Sequence, residues 1–374
     1  IQPYDMVDQK EFVQLTYEAL RNGYVFNSGY SWEQAQQMAR AGLSANLGGE
    51  LYNPFKNYTW DNLINPETGM VQADAVSAWN ERWMDAVQRD NAFRQEHQLS
   101  VNGGSEKTKY MFSLGYLNED GNIDNYGYNR LNLRSNIDAK LTKSLTFTLG
   151  VSGRIEKRDS PRYSADPNAW HNVPQQIIRA LPYVPDTYEY EGKTYNVSTP
   201  TASSPVAPVA SINESGYSKS NYSYIQSNFS LKYDAPWLKG LSFKFQGAYD
   251  LTYNFSKILS NPYEVMIMNL PTIESTSLTY YKGTDASGNS ISLSESASRG
   301  YTFTTQSSVT YDNKFGKHTV GAMFLAETRE NKSNALSATG YGLDFIQLDE
   351  LNQITNKTGN GAEKFPSIGG YSGH

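Results

Sequence analysis

From residue 241 to 255 the sequence alternates with a period of two. One phase reads Leu241, Phe243, Phe245, Gly247, Tyr249, Leu251, Tyr253 and Phe255; the other reads Ser242, Lys244, Gln246, Ala248, Asp250, Thr252 and Asn254. A helix would mix the two sets around its circumference, whereas an extended strand sends them to opposite faces. The same pattern recurs at 130–141, where Arg130, Asn132, Arg134, Asn136, Asp138 and Lys140 oppose Leu131, Leu133, Ile137, Ala139 and Leu141. It recurs again at 145–156, with Leu145, Phe147, Leu149, Val151 and Ile155 against Thr146, Thr148, Ser152, Arg154 and Glu156. Weaker versions cover 93–101, 110–116, 225–233, 301–311 and 320–326. The chain therefore predicts about eight antiparallel strands with one apolar and one charged face.

Strand length and the connections narrow the architecture. Soluble strands centre on ~5–6 residues, while a tilted membrane-spanning strand needs ~9–11. Several of these runs reach the longer figure. The connections at 103–107, 141–144, 234–240 and 313–317 are tight, and those at 118–125, 159–219, 257–298 and beyond 331 are mostly long. Short turns at one end and long loops at the other characterise an up-and-down outer-membrane barrel. A soluble or surface glycan-binding β-sandwich and a passive porin are the alternatives. The long connections carry signals of their own: hairpins at 187–197 and 277–294, the latter with its tip at 285–289, and short helices at 168–180 and 344–354. Two helical stretches, 7–22 and 32–43, precede the strands. Cut-looking ends suggest an internal piece of a longer barrel, with 93–101 and 320–326 as edges that pair elsewhere.

Composition excludes several classes. Lys plus Arg is 32 against 38 Asp plus Glu, a formal net charge of −6, which argues against nucleic acid as a partner. Cysteine is absent, removing disulfide frameworks and thiolate metal sites. No apolar run approaches the ~18 residues of a membrane-spanning helix.

Residues 93–116, FRQEHQLSVNGGSEKTKYMFSLGY, resemble the first strand-turn-strand element after the plug in SusC/RagA-type TonB-dependent outer-membrane transporters. The likeness continues through Gly121-Asn122-Ile123 and residues 128–138, YNRLNLRSNID. Residues 3–23 resemble the loop after the family's first barrel strand, and 79–90 the approach to its second. The resemblance implies an all-β, antiparallel up-and-down transmembrane β-barrel segment, about eight strands of a barrel of about 22. It divides the chain into an extracellular loop region with short helices (1–92), barrel strands with short periplasmic turns and long extracellular loops (93–331), and a truncated extracellular loop region (332–374). It also implies a location in the bacterial outer membrane, against lipid. Further implications are a SusD-like lipoprotein partner, coupling to TonB through segments outside this chain, and uptake of a bulky oligosaccharide or peptide.

No catalytic constellation stands out: Gly-x-Ser-x-Gly, His-Glu-x-x-His, P-loop and Gly-x-Gly-x-x-Gly are missing, and the four histidines are scattered. The chain reads as a non-enzyme that needs no metal and no cofactor. Asn118-Glu119-Asp120 with Asp124 reads as a turn rather than a Ca²⁺ site. Arg130, Arg134, Lys140, Arg154, Lys244 and Asp250 are expected to face the lumen. Trp170, Tyr183, Tyr188, Tyr190 and Tyr195, gathered in one long loop, are the candidates for substrate or partner contact, since an aromatic ring offers a flat apolar face and, in tyrosine, a polar tip. Tyr52, Phe55, Tyr58 and Trp60 form a second loop cluster, for which local packing is the competing explanation.

Overall fold

A computed structural model describes residues 7–47, 55–77, 83–162, 172–182, 184–190, 192–198, 206–267, 277–281, 290–343, 346–347, 349–354 and 356–373. Its main element is one antiparallel nine-stranded sheet. The strands are β1 (Arg94–Gly104), β2 (Thr108–Asp120), β3 (Gly127–Lys140), β4 (Leu145–Pro161), β7 (Gly216–Asp234), β8 (Leu241–Ser260), β11 (Ser292–Phe315), β12 (His318–Tyr341) and β13 (Asn356–Gly373). They neighbour one another in chain order, so every connection is up-and-down. Four short elements in the long connections make a second sheet: β5 (Thr187–Tyr190), β6 (Lys193–Ser198), β9 (Tyr263–Ile267) and β10 (Ser277–Tyr281), in the order β10-β9-β6-β5.

Register places the two phases on opposite faces along the whole sheet. Leu114 lies across from Leu133, Leu131 from Ile155, and Leu231 from Phe245. On the other face Arg134 lies across from Ser152, Ser152 from Gln226, and Gln226 from Asp250. The apolar face is uncovered: Leu99 is 60% exposed, Phe245 43% and Phe324 60%. A sandwich would bury such residues against a second sheet, so the sandwich alternative does not describe this chain. A solvent other than water is what this face requires.

The short turns are built for closure. Ser105 Oγ accepts from the amides of Lys107 and Thr108 at 3.2 Å, tightening the first. Gly316 closes the β11–β12 hairpin at φ 61°. In the β7–β8 turn Gly240 adopts φ +92°, and a Cβ there would lie 2.1 Å from the Asp312 carbonyl oxygen. That contact exists because Gly240 O accepts from Asp312 N at 2.9 Å, tying the turn to β11. Gly240→Ala should therefore lower stability by about 1–3 kcal/mol through backbone strain, read as a lower urea midpoint of the refolded protein; an unchanged midpoint would contradict the turn geometry.

Several expectations change. The region 332–374, read as a loop, instead continues β12 to Tyr341 and then adds β13. Glycines 359, 361, 369, 370 and 373 and Pro366 erase any alternation in that strand. Proline removes a ladder donor and is tolerated at bulges, and the register slips where Asn331 faces Ser367 but Ser333 faces Lys364. Residues 320–326 are accordingly only in part an edge, since β13 pairs with β12 from Leu325 onward. The 277–294 hairpin does not form as expected. β10 pairs instead with β9, β11 begins at Ser292, and the expected tip at 285–289 lies outside the described residues. Among the described residues of the expected 344–354 helix, the helical element is a 3₁₀ turn, Leu351–Gln353.

The helices form where capping and spacing dictate. α1 (Gln9–Ser28) starts at Asp8, whose carboxylate accepts from Glu11 N, and stops at Gly29 with φ 71°. α2 (Trp32–Asn46) opens with a Ser31/Gln34 capping box. They pack with α3 (Trp60–Leu63) around Val13, Tyr17, Ala39, Leu43, Trp60 and Leu63, all 1% exposed or less. Phe55 and Trp60 are thus core residues and Tyr58 packs against them, so the second aromatic cluster is structural; Tyr52 lies outside the described residues.

Candidate functional site

Two surfaces could meet a solute: the charged face of the sheet and the folded assembly at the long-loop end.

On the charged face the six expected residues do share one side, since Arg130 lies across from Glu156, Asn132 from Arg154, Lys140 from Thr146, and Lys232 from both Thr146 and Lys244. Glu156, 7% exposed at its side chain, is held by Arg154 Nε at 3.0 Å and Arg158 Nη2 at 3.1 Å, its neighbours two positions away on the same face of β4. The two guanidinium groups also lie over rings, Arg154 over Tyr222 at 5.9 Å and Arg158 over Tyr128 at 5.5 Å. A row of amides and an acid crosses three strands, Gln246 donating to Gln306 and Gln306 to Glu327. Above it Thr302 Oγ1 donates to Asn331 at 2.7 Å. Tyr224, Asp250, Thr302, Arg329 and Asn331 line a hollow of about 420 Å³; Lys244, Gln246, Asn228 and Gln306 line another of about 420 Å³. Such a wall presents donors, acceptors and both signs of charge. The sequence reading missed Glu327, Arg329 and Asn331 because it ended the β12 alternation at residue 326.

The long connections fold together. α4 (Trp83–Val87), α5 (Val173–Arg179) and α6 (Pro208–Asn213) share a core with Val197 of β6 and Met266 of β9. Trp83, 1% exposed, donates from Nε1 to Leu181 O at 2.9 Å. Asn125, at φ 64°, donates to Ile212 O at 3.0 Å. β6 and β9 pair in parallel through Val197–Met266 and Ser198–Ile267, which joins the third long connection to the second. Lys193 Nζ reaches Glu264 at 3.0 Å, and that hydrogen bond raises the lysine's pKa.

The expected hairpin at 187–197 is present, as β5 and β6. Tyr188 and Tyr195 form a cross-strand pair packed on the core, with Lys193 Nζ 4.3 Å above the Tyr195 ring. Both are half-buried, so each contributes packing as well as surface. Tyr190 ends β5, while Trp170 and Tyr183 lie outside the described residues. Of the Asn118–Asp124 group, Asp120 and Asp124 pair with Arg89 at 3.2 Å each, and Glu119 pairs with Arg94 at 3.2 Å. They are salt-bridged turn residues.

No protein-family model matches the chain. Three curated proteins match short stretches. TonB-dependent receptor P39 of Formosa agariphila is 33% identical over 66 residues, 18% of this chain and 6% of the receptor. TonB-dependent receptor P3 of the same organism is 31% identical over 80 residues, 21% and 8%. TonB-dependent receptor SusC of Bacteroides thetaiotaomicron is 26% identical over 91 residues, 24% and 8%. In fold, the chain superimposes over 96% of its length on a solved chain of the RagAB peptide transporter, with a TM-score of 0.58 and 18% identity. The resemblance to SusC/RagA-type transporters holds. The chain has the fold of a segment of that transporter's β-barrel, is similar over short stretches to these receptors, and spans 37% of the solved chain's length. The RagAB peptide importer in a "closed-closed" state agrees, with a TM-score of 0.56 and 18% identity over 97% of this chain. In a barrel the two faces acquire different solvents, which is why one sheet can carry Phe245 and Lys244 on adjacent residues of an exposed strand.

Proposed function

We propose that the protein containing this chain is a TonB-coupled outer-membrane importer of bulky oligosaccharides or peptides, working with a SusD-like surface lipoprotein. It is a transporter rather than an enzyme; the curated relatives are named TonB-dependent receptors and the solved structure is a peptide transporter. The observation that carries this reading is the sheet itself: an uncovered apolar face backed by a charged face, with its long connections folded into a compact assembly at one end. In this reading the apolar face meets lipid, and Arg130, Arg134, Lys140, Arg154, Lys244 and Asp250 line the lumen. The short turns lie in the periplasm. The helical region 1–92 and the long connections are extracellular.

The loop assembly is a broad, pre-folded surface, suited to holding a lipoprotein lid over a lumen. Tyr188, Tyr190, Tyr195, Trp170 and Tyr183 belong to its 159–219 connection and would contact lid or substrate. The solved RagAB peptide importer, similar in fold, supports a peptide as cargo. A passive porin would share the barrel but move solutes without energy coupling.

The test uses the full-length protein in cells. Uptake of labelled oligosaccharides or peptides should collapse when the inner-membrane coupling is removed, and the protein should co-purify with a lipoprotein. Energy-independent uptake would establish the porin instead. Deleting residues 188–195 should leave the barrel assembled but weaken partner capture or uptake by about tenfold, equivalent to about 1.4 kcal/mol. If neither changes, the hairpin plays no part in recognition.

A further inference from the structure

We infer that Arg130, Arg154 and Arg158, grouped around Glu156 on the charged face, form a site for a carboxylate of an acidic peptide substrate. This rests on the reading proposed above, in which the charged face lines the lumen of an importer.

Register builds the site. Across β3, β4 and β7, three rows of the charged face read Tyr128–Arg158–Ser220, Arg130–Glu156–Tyr222 and Asn132–Arg154–Tyr224. Side chains directly across are ~4.5–5.5 Å apart at Cβ, and successive rows are ~6.6 Å apart. Three guanidinium groups thus surround one carboxylate, Arg130 beside it and the other two in the rows on either side. Both oxygens of Glu156 are engaged, Oε1 with Arg154 Nε at 3.0 Å and Oε2 with Arg158 Nη2 at 3.1 Å. Arg130 is left over. It makes no hydrogen bond or ion pair among the described residues, and its Nε is buried without an acceptor. The neighbouring carboxylates do not serve it: Glu119, across from Tyr128, pairs with Arg94 at 3.2 Å, and Asp250 lies two strands from β4, across from Gln226. The patch therefore sets three positive charges against one negative.

The arginines are held ready for a ligand. Arg154 and Arg158 are exposed, and each is steadied over a ring, Arg154 over Tyr222 and Arg158 over Tyr128. A guanidinium bound through one nitrogen keeps other N–H donors, and a planar carboxylate matches a pair of them. The ring faces that the arginines cover are closed to a sugar, which favours the acid of a peptide over that of a uronic acid. Tyr224, across from Arg154, lines the hollow of about 420 Å³ together with Asp250, Thr302 and Asn331. A peptide whose acid sits on the arginines finds donors and acceptors for its backbone in that hollow.

Binding would be measured by fluorescence anisotropy on the full-length protein in mild detergent, with three labelled peptides of otherwise identical sequence. The first has an internal glutamate and an amidated C-terminus, the second glutamine in its place and an amidated C-terminus, the third glutamine and a free C-terminus. The wild type should bind one carboxylate-bearing peptide about tenfold more tightly than the neutral one, the scale of a charge-assisted hydrogen bond. Which of the two it prefers identifies the acid as side chain or terminus. Arg130→Gln should bring that ratio near one while the barrel remains heat-modifiable on gels, and Arg158→Gln should act in the same direction. Lys157→Gln, the same loss of charge on the opposite face of β4, should preserve the preference. Equal binding of the three peptides by the wild type, or a preference that survives in Arg130→Gln, would overturn the site. An oligogalacturonate that binds more tightly than either acidic peptide, and depends on Arg130, would overturn the peptide assignment in favour of a uronate. Energy dependence of uptake in cells reports the importer reading separately, so its failure is distinguishable from a failure of the site.

Discussion

Phe245→Arg should destabilise the assembled full-length protein by about 2–4 kcal/mol, the cost of an arginine at the bilayer midplane. Phe245 is on the apolar face, across from Leu231 on one side and Ser307 on the other, with the Phe229 ring 5.8 Å away. The arginine would have to leave this cluster and reach for headgroups past other apolar side chains. One residue on, Gln246 points to the charged face and bonds to Gln306. Gln246→Arg exchanges one polar wall residue for another beside Glu327, so assembly should be nearly unaffected. The comparison is read as urea midpoints of protein folded into lipid vesicles, together with the heat-modifiable fraction on gels. Equal losses at the two positions would mean that the faces do not have different solvents.

Trp83→Ala should produce the largest local effect, about 3–5 kcal/mol for truncating a buried tryptophan. Trp83 is 1% exposed, and its indole donates to Leu181 O, so the substitution removes packing and also strands a carbonyl. The affected core joins α4, α5, α6, β6 and β9, which come from separate connections. The expected result is rapid limited proteolysis within 172–198 while heat-modifiability of the barrel stays at the wild-type level. If barrel and loops lost stability together, the loop assembly would be part of the barrel's own cooperative unit.

Much of the barrel was legible because the bilayer imposes a strict rule on each strand. Between Leu241 and Phe255, or Leu145 and Ile155, every second residue must suit hydrocarbon, and the period survives even in one sequence. Outside the hydrocarbon the rule lapses but the ladder continues. β11 and β12 have 24 residues each, ~80 Å at ~3.3 Å per residue, against an apolar band of ~25 Å. Their distal parts, such as Ser292–Ser298 and Asn331–Ala338, carry no apolar phase opposed to a polar one (in the first, serines alternate with Leu293, Glu295 and Ala297) and so read as loop. β13 was hidden for a different reason: its glycines and Pro366 carry no β signal, and only pairing with β12, relaxed by a bulge, holds it extended.

The candidate site was half legible for a related reason. The side of a charged residue follows from parity, so Arg134, Lys244 and Asp250 could be placed on one face from the sequence alone. What they touch does not, because cross-strand partners depend on register between segments far apart in the chain. Glu156 being nearly buried between Arg154 and Arg158, or Gln246 reaching Gln306, required that register. The loop aromatics show the same limit. Tyr188 and Tyr195 are equally visible in the sequence whether they wait for a ligand or pack on Trp83, Val197 and their neighbours, and the second use emerges only when three connections meet.

The sequence by itself thus determined the strand period, the two-faced sheet, the alternation of short and long connections and the resemblance to SusC/RagA-type transporters. Each of these is local: side-chain parity, turn residues and short motifs are set within about 20 residues of chain. The tertiary structure decided where the strands end, that a ninth strand follows, that β9 pairs in parallel with β6, and which aromatics are core. Those outcomes turn on backbone hydrogen bonds between distant segments, and a backbone N–H bonds with the same chemistry whatever side chain it carries, so the sequence of one strand does not name its partner.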